Sequence, residues 1–256
     1  MREDILERLD EIEEKEQVKI LYAVEFGSRA WGLSSEDSDY DVRFIYLRPY
    51  QWYLSVDKKL DVLEYPINQD LDISGWDLKK ALQLFRKSNP SFLEWLSSPI
   101  IYLENDSIIE ELRELSREKF SSKAIMYHYL HMARGNYKKY LQGEEVSIKK
   151  YFYVLRPILA CQWIEKKQSI PPMEFDKLLD LQHSNQSLYN EIQKLLARKI
   201  SGEKLVIEDR IDIINNFIED KLHYYQEYVK GIKDIDSIDY DKLNQLFRAT
   251  LEEVWG

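Results

Sequence analysis

The sequence predicts an α+β fold in which a short β-sheet near the N-terminus is followed by a long helical region. Residues 18–76 contain apolar runs of strand length separated by polar turns. From residue 77 onward, the apolar residues recur at helical spacing. The chain has 256 residues, of which 44% are hydrophobic, enough for one or two domains with a core. We expect a first domain at residues 1–118 and a helical second domain at residues 119–256.

The first elements follow from local patterns. Residues 1–17 predict a charged helix, and residues 20–26 predict a buried strand. Gly27 allows a tight turn, after which residues 28–33 predict a short helix. A polar connector then leads to a second strand at residues 39–47. The apolar stripe of the first helix consists of Ile5, Leu9 and Ile12.

Two further strands and a series of helices complete the predicted order. Residues 60–65 and 71–76 predict strands joined by a turn at residues 66–70. Residues 77–118 predict helices, and a long helix is expected at residues 206–228. Interruptions of the helical pattern fall at Pro90, Pro99, Gly143, Pro171–Pro172, Asn185 and Gly202.

A Gly-Ser turn at the end of the first strand is suited to binding phosphate. Gly27 lets the backbone approach a ligand closely, because it has no side chain. The free N–H groups of the short helix predicted after it favour an anion. The hydroxyl of Ser28 and the guanidinium of Arg29 add donors to the same turn. These three residues are therefore candidate nucleotide-binding residues.

Two aspartates begin the second predicted strand. Side chains alternate along a strand, so Asp39 and Asp41 share one face and Tyr40 lies on the other. Adjacent carboxylates repel each other, and a divalent cation removes that conflict. Mg²⁺ prefers a few carboxylates together with phosphate oxygens. Next to the Gly-Ser turn, this pattern predicts a Mg²⁺ or Mn²⁺ site beside a nucleoside triphosphate, rather than a solvated loop.

A two-metal site needs a third carboxylate, for which four aspartates are candidates. Asp72 lies within an apolar strand, on the face opposite its apolar neighbours, and is favoured as a metal ligand. Asp77 is expected to cap the helix that follows. Asp70 is expected in the turn before the strand, and Asp61 is the remaining candidate.

The charge of the chain is unevenly distributed. The net charge of −10 argues against a general nucleic-acid coat protein. Residues 119–164 nevertheless contain eight basic and two acidic residues, a net +6, which leaves −16 for the remainder. Nine aromatic residues lie in the same stretch, a pattern that suits phosphates and stacked bases. The alternative, a tyrosine-rich core with solvated lysines, is equally compatible with the sequence.

Cations from two segments are candidates for the nucleotide site. Lys150, Tyr153 and Arg156 recur every three residues and form one helical stripe. We expect Pro157 to bend this helix, so that both cations face the triphosphate across a cleft and offset the charge of the leaving pyrophosphate. A salt bridge to an acidic helix is the structural alternative. Arg43 either contacts phosphate or holds the carboxylates in place, and the sequence does not separate these roles.

Other residue types argue against other classes of protein. The single cysteine, Cys161, excludes an intrachain disulfide framework and is expected to be buried. His128 and His131 could share a helix face, but with no further ligand nearby in sequence they do not indicate a zinc site. The N-terminus does not resemble a signal peptide, and no apolar run is long enough to span a membrane. We expect a cytoplasmic protein without a membrane partner.

The motif at residues 27–32, together with that at residues 38–43, resembles the signature of the DNA polymerase beta-like nucleotidyltransferase superfamily. More narrowly, the chain is similar to the predicted nucleotidyltransferases associated with RNA repair. The resemblance extends from about residue 18 to about residue 165. The narrower match is supported by three further blocks, Asp72–Leu78, Asn89–Leu96 and Lys149–Pro157.

The resemblance implies a nucleotidyltransferase palm, which is a mixed sheet with flanking helices, followed by an all-helical domain. It also implies transfer of a nucleoside monophosphate from a nucleoside triphosphate to a hydroxyl group, with release of pyrophosphate. By motif position, Asp39, Asp41 and Asp72 would ligate Mg²⁺, and Asp72 would also activate the acceptor hydroxyl. Gly27 and Ser28 would hold phosphate.

Two classes of function remain compatible with the sequence. The first is a Mg²⁺-dependent nucleotidyltransferase that acts on an RNA end, with a protein or a small molecule as rival acceptors. The second is a nucleotide- or RNA-binding protein on the same fold without turnover. The presence of all three candidate acids favours the enzyme, and the basic aromatic stretch favours RNA. The sequence does not determine the preferred base or the oligomeric state.

Overall fold

The computed structural model describes residues 1–65, 70–104, 107–233 and 237–256. These residues form two compact units. We call them the sheet unit, which comprises Met1–Ala30, Asp39–Phe120 and Asp236–Gly256, and the helical unit, which comprises Trp31–Ser38 and Ser121–Ile235. Each unit is described separately below.

The sheet unit is built on a five-stranded mixed sheet. Its strands are β1 (Lys19–Phe26), β2 (Tyr40–Leu47), β3 (Val62–Glu64), β4 (Leu71–Asp77) and β5 (Ile101–Glu104). Their order in the sheet is β3-β4-β2-β1-β5. Only the central pair, β2 and β4, is parallel among these neighbours, and the other pairs are antiparallel. The strands that carry the candidate acids therefore lie side by side.

Helices of the sheet unit pack beside this sheet. Among the described residues, five of them precede Ser121 in the chain: α1 (Arg2–Glu16), α2 (Tyr50–Tyr53), α3 (Leu78–Arg86), α4 (Pro90–Leu96) and α5 (Ser107–Glu118). The apolar stripe predicted for α1 is confirmed, because Ile5, Leu9 and Ile12 are all buried in the core that contains Phe44 and Ile73 of the sheet.

The described residues of the helical unit form five α-helices and a small two-stranded sheet. Its helices are α6 (Ser122–Tyr140), α7 (Lys150–Lys167), α8 (Phe175–Leu179), α9 (Gln186–Ile200) and α10 (Asp212–Gly231), with a 3₁₀ turn at Asp180–Gln182. The antiparallel strands are β6 (Glu145–Ser147) and β7 (Ile207–Asp209). A last helix, α11 (Tyr240–Trp255), belongs to the sheet unit. No helix among the described residues combines the length and apolar character needed to cross a membrane.

The α+β prediction is confirmed, and so are the strands expected near residues 20–26, 39–47, 60–65 and 71–76. The burial expected of Cys161 is also confirmed. The predicted turn at residues 66–70 lies outside the described residues except for Asp70.

Three local predictions are wrong. The segment expected as a helix at residues 28–33 is a turn, because Gly27 and Gly32 both take left-handed backbone angles, with φ of 74° and 73°. The strand β5 replaces part of the helical region expected up to residue 118. The helix expected from residue 206 begins at Asp212, because β7 precedes it and pairs with β6.

Candidate active site

The two central strands place two aspartates side by side. Asp41 of β2 and Asp72 of β4 are register partners in the parallel ladder. Their side chains are 28% and 31% exposed, so both are accessible from solvent. Asp39 lies one residue before β2 and is exposed. Asp72 lies 31 positions after Asp41 in the sequence, and the pairing of β4 with β2 brings it next to the strand that follows Asp39 and contains Asp41.

The charges of these acids affect one another. The pKa of Asp41 is raised above its ordinary value, chiefly because the carboxyl is partly buried. The guanidinium of Arg43 lowers that pKa, whereas the negative charges of Asp72 and Asp39 raise it further. The negative charges of Asp39 and Asp72 thus both act on the Asp41 carboxyl.

Arg43 bridges the two strand aspartates. Its Nη2 lies 2.7 Å from Oδ2 of Asp72 and 3.4 Å from Oδ1 of Asp41. Its Nη1 donates to the carbonyl oxygens of Val42 at 3.0 Å and Asp72 at 3.2 Å. The guanidinium is thus fixed by backbone as well as by carboxylates. Of the two roles that the sequence left open for Arg43, this contact corresponds to holding the carboxylates.

Gly27 lies directly against the Asp41 carboxylate. Phe26 and Asp41 are register partners, so the chain turns at Gly27 immediately beside that side chain. A Cβ atom at Gly27 would lie 2.1 Å from Oδ2 of Asp41. The backbone of the Gly-Ser turn can therefore approach the acids only because residue 27 has no side chain.

The next residues of the turn stay close to the start of β2. Ser28 is partly buried beside Gly27. The guanidinium of Arg29 stacks 3.7 Å from the ring centroid of Tyr40 and donates from Nε to the carbonyl oxygen of Asp39 at 3.2 Å. The Gly27–Arg29 turn thus lies next to Asp39 and Asp41 in the sheet unit.

Sequence reasoning missed Glu25, whose side chain binds the backbone of Asp41. The side chain is fully buried, and its Oε1 accepts a hydrogen bond from the backbone N–H of Asp41 at 2.8 Å. Its Oε2 accepts from the hydroxyl of Tyr102 at 2.5 Å. Burial raises the pKa of Glu25, and the hydrogen bond from Tyr102 partly opposes that effect. The available signal was a single acid within the apolar run of β1.

The other aspartates have different partners. Asp77 caps α3, as predicted: its Oδ1 accepts from the backbone N–H of Lys79 at 2.9 Å. Its Oδ2 accepts from the hydroxyl of Tyr53 at 2.6 Å, and burial raises the pKa of Asp77 to about 6. Asp61 pairs with Lys80, and Asp70 is exposed beside the start of β4. Of the four candidates, only Asp72 is the register partner of Asp41.

The predicted cations of α7 form a second cluster, within the helical unit. Nζ of Lys150 lies 4.3 Å from the ring centroid of Tyr153, which packs edge-on against Trp31 at 5.9 Å. The guanidinium of Arg156 lies 4.5 Å from the ring of Trp31. Arg156 is only 3% exposed, whereas Lys150 and Tyr153 are partly exposed. The predicted stripe is thus one chain of alternating cations and aromatic rings.

The donor chemistry of the acid cluster fits a hard divalent cation. Asp39, Asp41 and Asp72 offer only carboxylate oxygens, which are the ligands that Mg²⁺ and Mn²⁺ prefer. Among the residues that the structure describes, however, no group of three or more His, Cys, Asp or Glu side chains is arranged to hold a metal ion. The guanidinium of Arg43 instead forms ion pairs with one carboxylate oxygen of Asp41 and one of Asp72.

Comparison with known proteins identifies the family. A model of the RNA repair pathway DNA polymerase beta family (RlaP) matches residues 1–249. The uncharacterized protein YcgL of Bacillus subtilis (strain 168) is 53% identical over 255 residues, covering 100% of this chain and 98% of that protein. Among solved structures, a nucleotidyltransferase-like protein from Exiguobacterium sibiricum 255-15 is 14% identical, covering 92% of this chain and 84% of that chain with a TM-score of 0.31. The chain therefore belongs to the RNA repair pathway DNA polymerase beta family.

Proposed function

We propose that the protein is a nucleotidyltransferase that moves a nucleoside monophosphate from a nucleoside triphosphate to a hydroxyl group, with an RNA end as the acceptor. The observation that carries the proposal is the register pairing of Asp41 with Asp72, with Gly27 packed against the Asp41 carboxylate. Membership of the RNA repair pathway DNA polymerase beta family supports the same reaction class. Mg²⁺ or Mn²⁺ is the proposed cofactor.

In this proposal Asp39, Asp41 and Asp72 hold the divalent cation. When bound, the metal supplies charge that stabilises the transferring phosphoryl group and the pyrophosphate leaving group. Asp72 accepts the proton of the acceptor hydroxyl, whose oxygen forms a bond to the α-phosphorus while the bond from that phosphorus to pyrophosphate breaks. The turn at Gly27 and Ser28 binds phosphate through backbone N–H groups and the serine hydroxyl.

Two arginines add positive charge to the proposed site of the sheet unit, and nucleotide binding by the α7 stripe of the helical unit is a separate part of the proposal. Arg43 positions Asp41 and Asp72 by offsetting their mutual repulsion. Arg29 adds positive charge beside Asp39. Lys150 is the accessible cation of the stripe and is proposed to bind the triphosphate, supported by the ring of Tyr153. Arg156 is buried against Trp31, which packs on Tyr153, and is proposed to hold these two rings in position.

One observation favours a second candidate, a nucleotide- or RNA-binding protein without turnover. Arg43 contacts both strand acids, and a cation of the protein itself can satisfy carboxylates that would otherwise need a metal. A transfer assay separates the two candidates, since both predict ligand binding but only one predicts a covalent product.

The decisive experiment follows the label of each α-labelled nucleoside triphosphate. The protein is incubated with Mg²⁺ or Mn²⁺ and with total RNA, protein extract or a small-molecule fraction. We expect labelled RNA, and no label transfer by the Asp41→Asn variant. If the label appears in protein or in a small molecule, that molecule is the acceptor and the assignment of RNA is wrong. Equal labelling by the wild type and by Asp41→Asn would refute the assignment of the acid cluster.

A further inference from the structure

A groove between α6 and α10 of the helical unit has the chemistry of a nucleic-acid site. Its volume is about 1150 Å³, and it is lined mainly by residues of these two helices. Its apolar floor contains Leu130 of α6, with Leu222 and Val229 of α10. Among the described residues, its lining contains no member of the acid cluster and no member of the α7 stripe.

One stripe of α6 forms a wall of this groove. Tyr127, His131, Arg134 and Lys138 are all exposed and follow one another at spacings of four, three and four residues. This spacing places them on one helix face over a length of about 16 Å. The tyrosine is 48% exposed, whereas Tyr129 and Tyr137 of the same helix are buried in the core. An aromatic ring and two basic side chains thus lie in a row on this face.

The charge of the groove is positive. Within the part of the chain that the structure describes, neither Arg134 nor Lys138 has an acidic partner within 4 Å. Glu219 is the acid in the lining among the described residues, and it accepts a hydrogen bond from the hydroxyl of Tyr137. Lys230 is also in the lining but is paired with Glu227 at 2.7 Å. The two uncompensated cations therefore belong to α6.

Three imidazoles accompany these cations. His128, His131 and His223, three of the four histidines of the chain, line the same groove. His131 and His223 each carry a ring N–H donor, and base edges and phosphates both carry acceptor oxygens or nitrogens. The described residues contain no group of three or more His, Cys, Asp or Glu side chains that could hold a metal ion.

We propose that the α6–α10 groove binds a single-stranded segment of an RNA acceptor. Single-stranded nucleic acid binds where cations contact phosphates and aromatic rings stack on bases, and the stripe offers both. Arg134 and Lys138 contact the phosphates, and Tyr127 stacks on a base. The rest of the chain carries net negative charge, so repulsion elsewhere directs a polyanion to this surface. The identification of the strand as the acceptor rests on the proposed function.

The test measures RNA binding by the full chain without nucleotide or divalent metal. The probe is a fluorescently labelled, mixed-sequence RNA strand of about 12 nucleotides, and its anisotropy is recorded over a salt series. The variant Arg134→Glu/Lys138→Glu is compared with Lys166→Glu/Lys167→Glu, which makes the same charge change at exposed lysines at the end of α7. Circular dichroism and thermal unfolding establish that both variants fold.

We expect the groove variant to lose at least tenfold in affinity and the α7 variant to stay within threefold of the wild type. Loss of two phosphate contacts also reduces the slope of log K against log salt by about 1.4. Tyr127→Ala is expected to lose about tenfold in affinity with an unchanged salt slope, because stacking involves no counterion release. Equal RNA affinity of the groove variant and the wild type would overturn the proposal.

Three further outcomes distinguish this proposal from a general polyanion site and from the proposed function. If polyglutamate displaces the RNA at equal charge concentration, the groove is a general polyanion site and the RNA assignment fails. If the wild type binds RNA through the groove but transfers no nucleotide, the proposed function fails and the binding site stands. If transfer to RNA occurs but the groove variant retains full RNA affinity, the enzyme assignment stands and the groove proposal fails.

Discussion

Gly27→Ala is the most direct test of the packing that carries the functional proposal. The φ of Gly27 is 74°, where an L-residue costs about 1–2 kcal/mol. The new Cβ would also lie 2.1 Å from Oδ2 of Asp41, although ordinary contact begins at 3.4 Å. The carboxylate must therefore move by about 1 Å, a misplacement that can cost about 100-fold in rate at a reacting site.

Gly32→Ala is a matched control within the same turn. The φ of Gly32 is 73°, and a Cβ there would meet nothing within 4 Å. Both variants thus bear the same backbone strain, and only Gly27→Ala displaces Asp41. In a chain of this size, 1 kcal/mol corresponds to about 2–4 °C in melting temperature, so we expect both to melt about 2–8 °C below the wild type.

The assay combines thermal unfolding with nucleotide transfer. Gly32→Ala is expected to retain transfer within about threefold of the wild type, and Gly27→Ala is expected to lose about 100-fold. If the two variants are equally active, the approach of the turn to Asp41 is irrelevant to function. If neither variant loses stability, the left-handed backbone angles are not strained by a side chain.

Five further variants test individual carboxylates and one cation. Asp41→Asn is expected to abolish transfer with little change in melting temperature, because removing one of two adjacent charges relieves repulsion; full transfer would contradict the role of this acid. Lys150→Ala is expected to weaken triphosphate binding at least about tenfold by calorimetry while leaving the melting temperature nearly unchanged. Asp72→Asn is expected to slow transfer more than it weakens nucleotide binding, and the same result for Asp70→Asn instead would identify a different third acid. Asp77 has a pKa raised to about 6 by burial, so its stabilising protonated form is lost as pH rises through that value. Relative to Asp77→Asn, the wild type is therefore expected to lose about 2–3 kcal/mol of unfolding free energy between about pH 4 and pH 7, and parallel pH profiles of denaturant unfolding would refute this.

Local sequence patterns determined the elements that depend on near neighbours. The stripe of Ile5, Leu9 and Ile12 fixed the buried face of α1, because helical spacing alone puts these residues on one side. Asp77 was identifiable as a cap from its position before an apolar run. The short motif around Gly27 and Asp41 was sufficient to indicate the family to which the chain belongs.

The supporting partners of the candidate site were decided by tertiary structure. The sequence could favour Asp72 over its neighbours, but its place beside Asp41 depends on the parallel pairing of β2 with β4. The bridge made by Arg43 depends on the same pairing. Glu25 was recognisable only as an acid in an apolar strand, since its partner N–H is supplied by the adjacent strand.

The same distinction applies to the elements that the sequence missed or assigned wrongly. The four residues of β5 are too few for a strand pattern to be distinctive, and their conformation is stabilised by pairing with β1. The strands β6 and β7 likewise form only with each other, across about 60 residues of chain. The sequence by itself determined the spacing of apolar and charged residues and the positions of turn residues. Only the fold decided which distant residues share a hydrogen bond or a charge, because that depends on strand order and register rather than on neighbours along the chain.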